Sequence, residues 1–100
     1  MKLSEERILR TIFEVVDEVN KMLPEERRLQ KLPDTFLAGD SGNLDSLGLI
    51  NFIVELEGGL QKDFGLTMNL IELLEMPEEP MKSIDRLAKF IKAQANGEEI

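Results

Sequence analysis

Apolar residues recur along this 100-residue chain at steps of three and four, and no stretch alternates with period two. Steps of three and four stack side chains on one face of a helix, whereas a half-buried strand needs an apolar residue at every second position. The spacing therefore predicts an all-α fold. A chain this short supports one core at most, so residues 1–100 are expected to form a single domain.

Ser4 is placed to cap a first helix whose opening turn holds Glu5 and Glu6, where negative charge suits the helix dipole. Ile8, Leu9, Ile12, Phe13, Val16, Val19 and Leu23 mark its apolar face, and Pro24 ends it or opens a short segment from Glu25 to Lys31. A second long helix is expected from Asp45 or Ser46 to Phe64, closed by Gly65. Leu49, Ile50, Ile53, Leu56, Leu60 and Phe64 form the centre of its burial, and Leu47, Phe52 and Val54 widen the arc. Only Gly48, Asn51, Glu55, Gly58, Gly59 and Lys62 remain as a polar strip, so this helix is expected to be central. Gly58-Gly59 costs about 1 kcal/mol per glycine relative to alanine and predicts a bend or a shift of the buried face. A third, short helix fits Leu70–Glu75, with Asn69 and Glu72 as a capping pair and Pro77 beyond it. Ser83 caps a fourth, carrying Ile84, Leu87, Ala88 and Ile91 on one face and followed by Asn96-Gly97. Three long helices and one short one leave residues 32–45 as a long loop, with Pro33, Gly39 and Asp40-Ser41-Gly42-Asn43 as turn formers. Loops of that length in small domains are commonly functional.

The chain has no cysteine and no histidine. Their absence removes Cys nucleophiles, Cys/His zinc sites, disulfide frameworks and Ser-His-Asp triads. No catalytic residue and no metal ligand is assigned; an EF-hand reading around Asp40, Asn43 and Asp45 fails because Asn51 stands where the glutamate ligand belongs. The formal charge is −8, but it is concentrated: residues 34–80 carry −9, while residues 1–33 are neutral and residues 81–100 carry +1. Such a field repels nucleic acid and anionic lipid and suits basic protein surfaces. The apolar runs are too short for a membrane span, and the charged start MKLSEERILR lacks an apolar signal region. A cytoplasmic monomer is the expectation.

The most informative segment is Gly39-Asp40-Ser41-Gly42-Asn43-Leu44-Asp45-Ser46-Leu47-Gly48-Leu49-Ile50. It sets a serine hydroxyl at the start of the second helix, directly after the loop. A helix N-terminus offers unpaired N–H groups and partial positive charge, so an anion attached to Ser46 is favoured there.

Here the sequence resembles the acyl carrier proteins. Their attachment motif Asp-Ser-Leu is met as Asp45-Ser46-Leu47, and the Ile-Asp-Arg-Leu-Ala-Lys-Phe-Ile segment of the last helix agrees. More narrowly, Phe36-Leu37-Ala38-Gly39, Leu44-Asp45-Ser46-Leu47-Gly48-Leu49 and Phe64-Gly65-Leu66 are similar to stand-alone bacterial carriers with an extended second helix. The resemblance implies an acyl-carrier-like four-helix bundle in which Ser46 bears 4′-phosphopantetheine, a covalent phosphodiester derived from coenzyme A. It implies a non-catalytic phosphoprotein that carries acyl groups as thioesters, for a specialised fatty acid, lipid or surface-glycolipid pathway. The implied partners are a phosphopantetheinyl transferase and acyl-loading, acyl-transfer or synthase enzymes with basic docking patches. Asp45 and Leu47 would flank the attachment site, with Asp45, Glu55 and Glu57 as docking residues. Leu47, Ile50, Ile53, Val54, Leu70 and Leu74, most simply core, would part to shelter an acyl chain.

The chain also departs from that pattern. Asn51 and Gly58 stand where carriers commonly have acids, and Lys62 dilutes the acidic helix further. Peptidyl carriers place a histidine before the serine and D-alanyl carriers favour Asp-Ser-Phe; neither is met here. An aminoacyl, D-alanyl-like carrier remains an alternative. So does an unmodified acidic helical interaction module, in which Ser46 does no more than start a helix.

Overall fold

In a computed structural model, residues 3–38 and 44–97 are described. The turn-forming run 39–43 of the long loop lies outside them. Three α-helices form, α1 (Glu5–Asn20), α2 (Ser46–Phe64) and α3 (Ile84–Ala95), with two 3-10 segments at Glu25–Arg27 and Leu70–Glu75. No strand forms among the described residues, and the chain is mostly helical.

Local chemistry sets the helix ends. Ser4 Oγ accepts the Arg7 N–H at 3.3 Å, and Ser83 Oγ accepts the Arg86 N–H at 3.2 Å. Gly65 closes α2 at φ 67°, donating its N–H to the Gln61 carbonyl while Leu66 N–H reaches the Leu60 carbonyl. That left-handed turn is open to glycine at little cost. After Pro24 only Glu25–Arg27 is helical, not the run to Lys31, and the six residues from Leu70 wind as a 3-10 segment.

The core joins Ile8, Ile12, Val15, Val16 and Val19 of α1 to Phe52, Ile53, Leu56 and Leu60 of α2 and to Ile84, Leu87, Ala88 and Ile91 of α3. α1, rather than α2, is the element that packs against both other helices, while α2 also meets the 3-10 segment Leu70–Glu75. The first part of the long loop is tied down. Leu37 and Ala38 donate to the Lys82 and Met81 carbonyls, and Ile84 and Asp85 donate back to Thr35 and Pro33. Two asparagines act as clamps elsewhere. The Asn20 side chain exchanges hydrogen bonds with both backbone groups of Leu29, and Asn96 does the same with Leu3.

α2 is rotated from the expected setting. Its buried face runs through Gly48, Phe52, Ile53, Leu56 and Leu60, and Ile50 lies outside it. At about 100° per residue the shift is roughly 50°. Gly59 explains it: a Cβ there would stand 3.2 Å from Thr11 Cγ2 and 3.5 Å from Val15 Cγ2, so the bare glycine lets α1 come close on that side. Gly59 therefore shifts the buried face of a helix that continues to Phe64.

Candidate functional site

The start of α2 is organised one residue at a time. Leu44 is buried and anchors the incoming chain. Asp45, in extended backbone, caps the helix: Oδ1 accepts the Gly48 N–H at 2.8 Å, and its carbonyl accepts the Leu49 N–H at 2.8 Å. Its other carboxylate oxygen lies 3.7 Å from Arg27 Nη1, which the 3-10 segment Glu25–Arg27 brings alongside. Gly48 is buried, and a Cβ there would press on Asp45 Oδ1 at 3.2 Å and Leu44 Cδ2 at 3.4 Å. Between these fixed residues Ser46 and Leu47 face outward, Leu47 at 70% exposure.

Capping is thus the work of Asp45. Ser46 is the first helical residue, and among the described residues its hydroxyl forms no hydrogen bond. Ser46 starts the helix without capping it. The hydroxyl stands exposed at the positive end of a 19-residue helix, next to the Asp45 carboxylate that pairs with Arg27.

The remaining expected site residues do not gather in one place. Glu55 is exposed and lines a groove against α1. Glu57 is half-buried and accepts the Leu70 N–H on Oε2 at 2.9 Å. Glu57 therefore takes the capping role expected of Asn69, which reaches Glu72 at 3.4 Å but caps nothing. Residues two apart on a helix diverge by about 160–200°, so Glu55 and Glu57 do not share a face.

The residues expected as core and acyl pocket also divide. Ile53 and Leu70 are buried, whereas Leu47, Ile50, Val54 and Leu74 are exposed. This corrects their reading as core; for Leu47, Ile50 and Val54 the cause is the rotation of α2 toward α1. With Ile71, also exposed, they form apolar surface on α2 and on the adjoining 3-10 segment.

The sequence reading missed the groove between α1 and α2, about 590 Å³ and lined by residues from Thr11 to Glu18 and from Val54 to Asp63. Its signal was present in Gly58-Gly59. Thr11 is buried there, and its hydroxyl donates to Asp63 Oδ2 at 2.6 Å. Among the described residues no group of three or more metal-ligating side chains is assembled, and no helix is long and apolar enough to cross a membrane. Comparison with models of protein families, with curated proteins and with solved structures finds no match to this chain.

Proposed function

We propose that this chain is a carrier whose Ser46 Oγ bears 4′-phosphopantetheine through a phosphodiester, and that it hands an acyl group between enzymes. The observation that carries the reading is the division of labour at the start of α2: Asp45 caps, Gly48 and Leu44 brace it, and the Ser46 hydroxyl is left exposed and unengaged among the described residues. A modifying enzyme needs such a hydroxyl on a rigid, accessible support. When bound, the group supplies a thiol for thioester formation, which this cysteine-free chain does not itself encode.

The chain's own residues hold and orient. The α2 N-terminus favours the phosphodiester's negative charge, Asp45 keeps the first turn in place, and Arg27 pairs with the Asp45 carboxylate. The acyl cargo is proposed to belong to a specialised fatty acid, lipid or surface-glycolipid pathway, with a transferase and acyl-handling enzymes as partners. A D-alanyl-like cargo has no observation in its favour. The unmodified interaction module is supported by the acidic groove between α1 and α2, whose rims could receive a basic partner without any chemistry at Ser46.

The test is intact mass after incubating the purified chain with coenzyme A, magnesium and a permissive phosphopantetheinyl transferase. One phosphopantetheine increment, abolished by Ser46→Ala, is expected. No increment, or one that survives Ser46→Ala, overturns the carrier reading.

A further inference from the structure

Gly58 and Gly59 are adjacent in α2 but face different surroundings. Gly59 sits against Thr11 and Val15 of α1, whereas a Cβ at Gly58 would meet nothing within 4 Å. On that open side the two helices leave the groove of about 590 Å³. Val15, Gly58 and Gly59 line it with aliphatic carbon or bare backbone, exposed Val54 adds apolar surface, and its rims on both helices are acidic. Glu14 stands on the α1 side, Glu55 and Asp63 on the α2 side, and Lys62 is the one cation among the lining residues. Asp17 and Glu18 are already engaged with Lys31 and Lys21, and Asp63 accepts from Thr11. Glu14 and Glu55 form no ion pair among the described residues.

A helix laid between two others buries an apolar ridge in the groove and brings its flanks to the rims. The rims decide which helix fits. Carboxylates on both sides attract a cationic flank, hasten encounter and reject acidic partners. We propose that the α1–α2 groove docks a basic amphipathic helix of a partner protein, with a small or aliphatic side chain over Gly58 and Lys or Arg side chains against Glu14 and Glu55. Val54, the groove residue nearest to Ser46, lies about 12 Å from it along the helix axis. A helix seated in the groove therefore need not cover the serine.

The test uses the unmodified full chain, isotope-labelled, titrated with a synthetic amphipathic helix of leucine and lysine and followed by amide chemical shifts. Shifts centred on residues 11–18 and 54–63 are expected, with affinity falling as salt rises. Gly58→Leu fills open space and improves helix propensity, so thermal unfolding should show it folded while the peptide binds about tenfold more weakly. Glu14→Gln combined with Glu55→Gln should weaken binding several-fold at low salt. Glu75→Gln combined with Glu78→Gln removes the same charge elsewhere and should leave affinity unchanged. Three results overturn the proposal: shifts centred on Ile71 and Leu74 or spread over the whole acidic surface, affinity indifferent to Gly58→Leu, or a control pair as damaging as the groove pair.

Discussion

Alanine at Gly58 and alanine at Gly59 should have different consequences, although the substitutions are chemically identical and one residue apart. In a helix interior each gains about 1 kcal/mol of propensity. At Gly58 nothing opposes the gain, because no atom lies within 4 Å of the new Cβ. Gly58→Ala should therefore stabilise the protein by about 1 kcal/mol, raising Tm by roughly 4–8 °C in a chain of this size. At Gly59 the Cβ would stand 3.2 Å from Thr11 Cγ2 and 3.5 Å from Val15 Cγ2. Thr11 is buried and its hydroxyl is held by Asp63 at 2.6 Å, so it is poorly placed to yield. Overpacking of this kind costs about 1–3 kcal/mol. Set against the propensity gain, Gly59→Ala should range from no change to a loss of about 2 kcal/mol. Urea unfolding followed by circular dichroism measures both variants, and their difference should be about 1–3 kcal/mol. Equal stabilisation by the two alanines would refute the close approach of α1 at Gly59, and a loss at Gly58 would refute the open groove.

The capping assignment predicts that Asp45→Ala costs about 1 kcal/mol while Ser46→Ala leaves unfolding unchanged; equal losses in denaturant melts would mean that both side chains cap. Asn20→Ala removes both hydrogen bonds to Leu29 and, at about 1 kcal/mol each, should cost about 2 kcal/mol by the same measurement. Lys89 is held above the ordinary lysine value of 10.5 by its hydrogen bond to Asp85 and by that carboxylate's charge. Because the folded value is the raised one, the pair's contribution is present below the ordinary lysine range and lost as pH climbs through the folded value. Asp85→Asn should bring the Lys89 titration back down, read by NMR of the lysine side chain; an unmoved titration would mean the pair does not form in solution.

Helix ends were legible in the sequence because their chemistry is local. Ser4, Ser83 and Gly65 each act on groups within a few residues, and the structure has all three where the sequence suggested. The start of α2 was legible for the same reason, although the choice between Asp45 and Ser46 as its cap needed coordinates. Glu57 was read differently because its partner is the N–H of Leu70, thirteen residues away. Nothing in the spacing of Glu57 reveals that bond.

The rotation of α2 separates the two kinds of information. Apolar residues occupy so much of this helix that periodicity leaves its orientation nearly degenerate. The sequence alone settled that the chain is helical, where its three α-helices begin, and where α2 and α3 end; α1 stops at Asn20, short of the Pro24 expected to end it. Which apolar residues of α2 are buried depended on a contact between helices. α1 approaches where Gly59 offers no side chain, which buries Phe52 and leaves Leu47, Ile50 and Val54 exposed. The same approach opens the acidic groove over Gly58. Helix capping is decided within a turn of chain, whereas a buried face and a groove exist only once two distant segments meet.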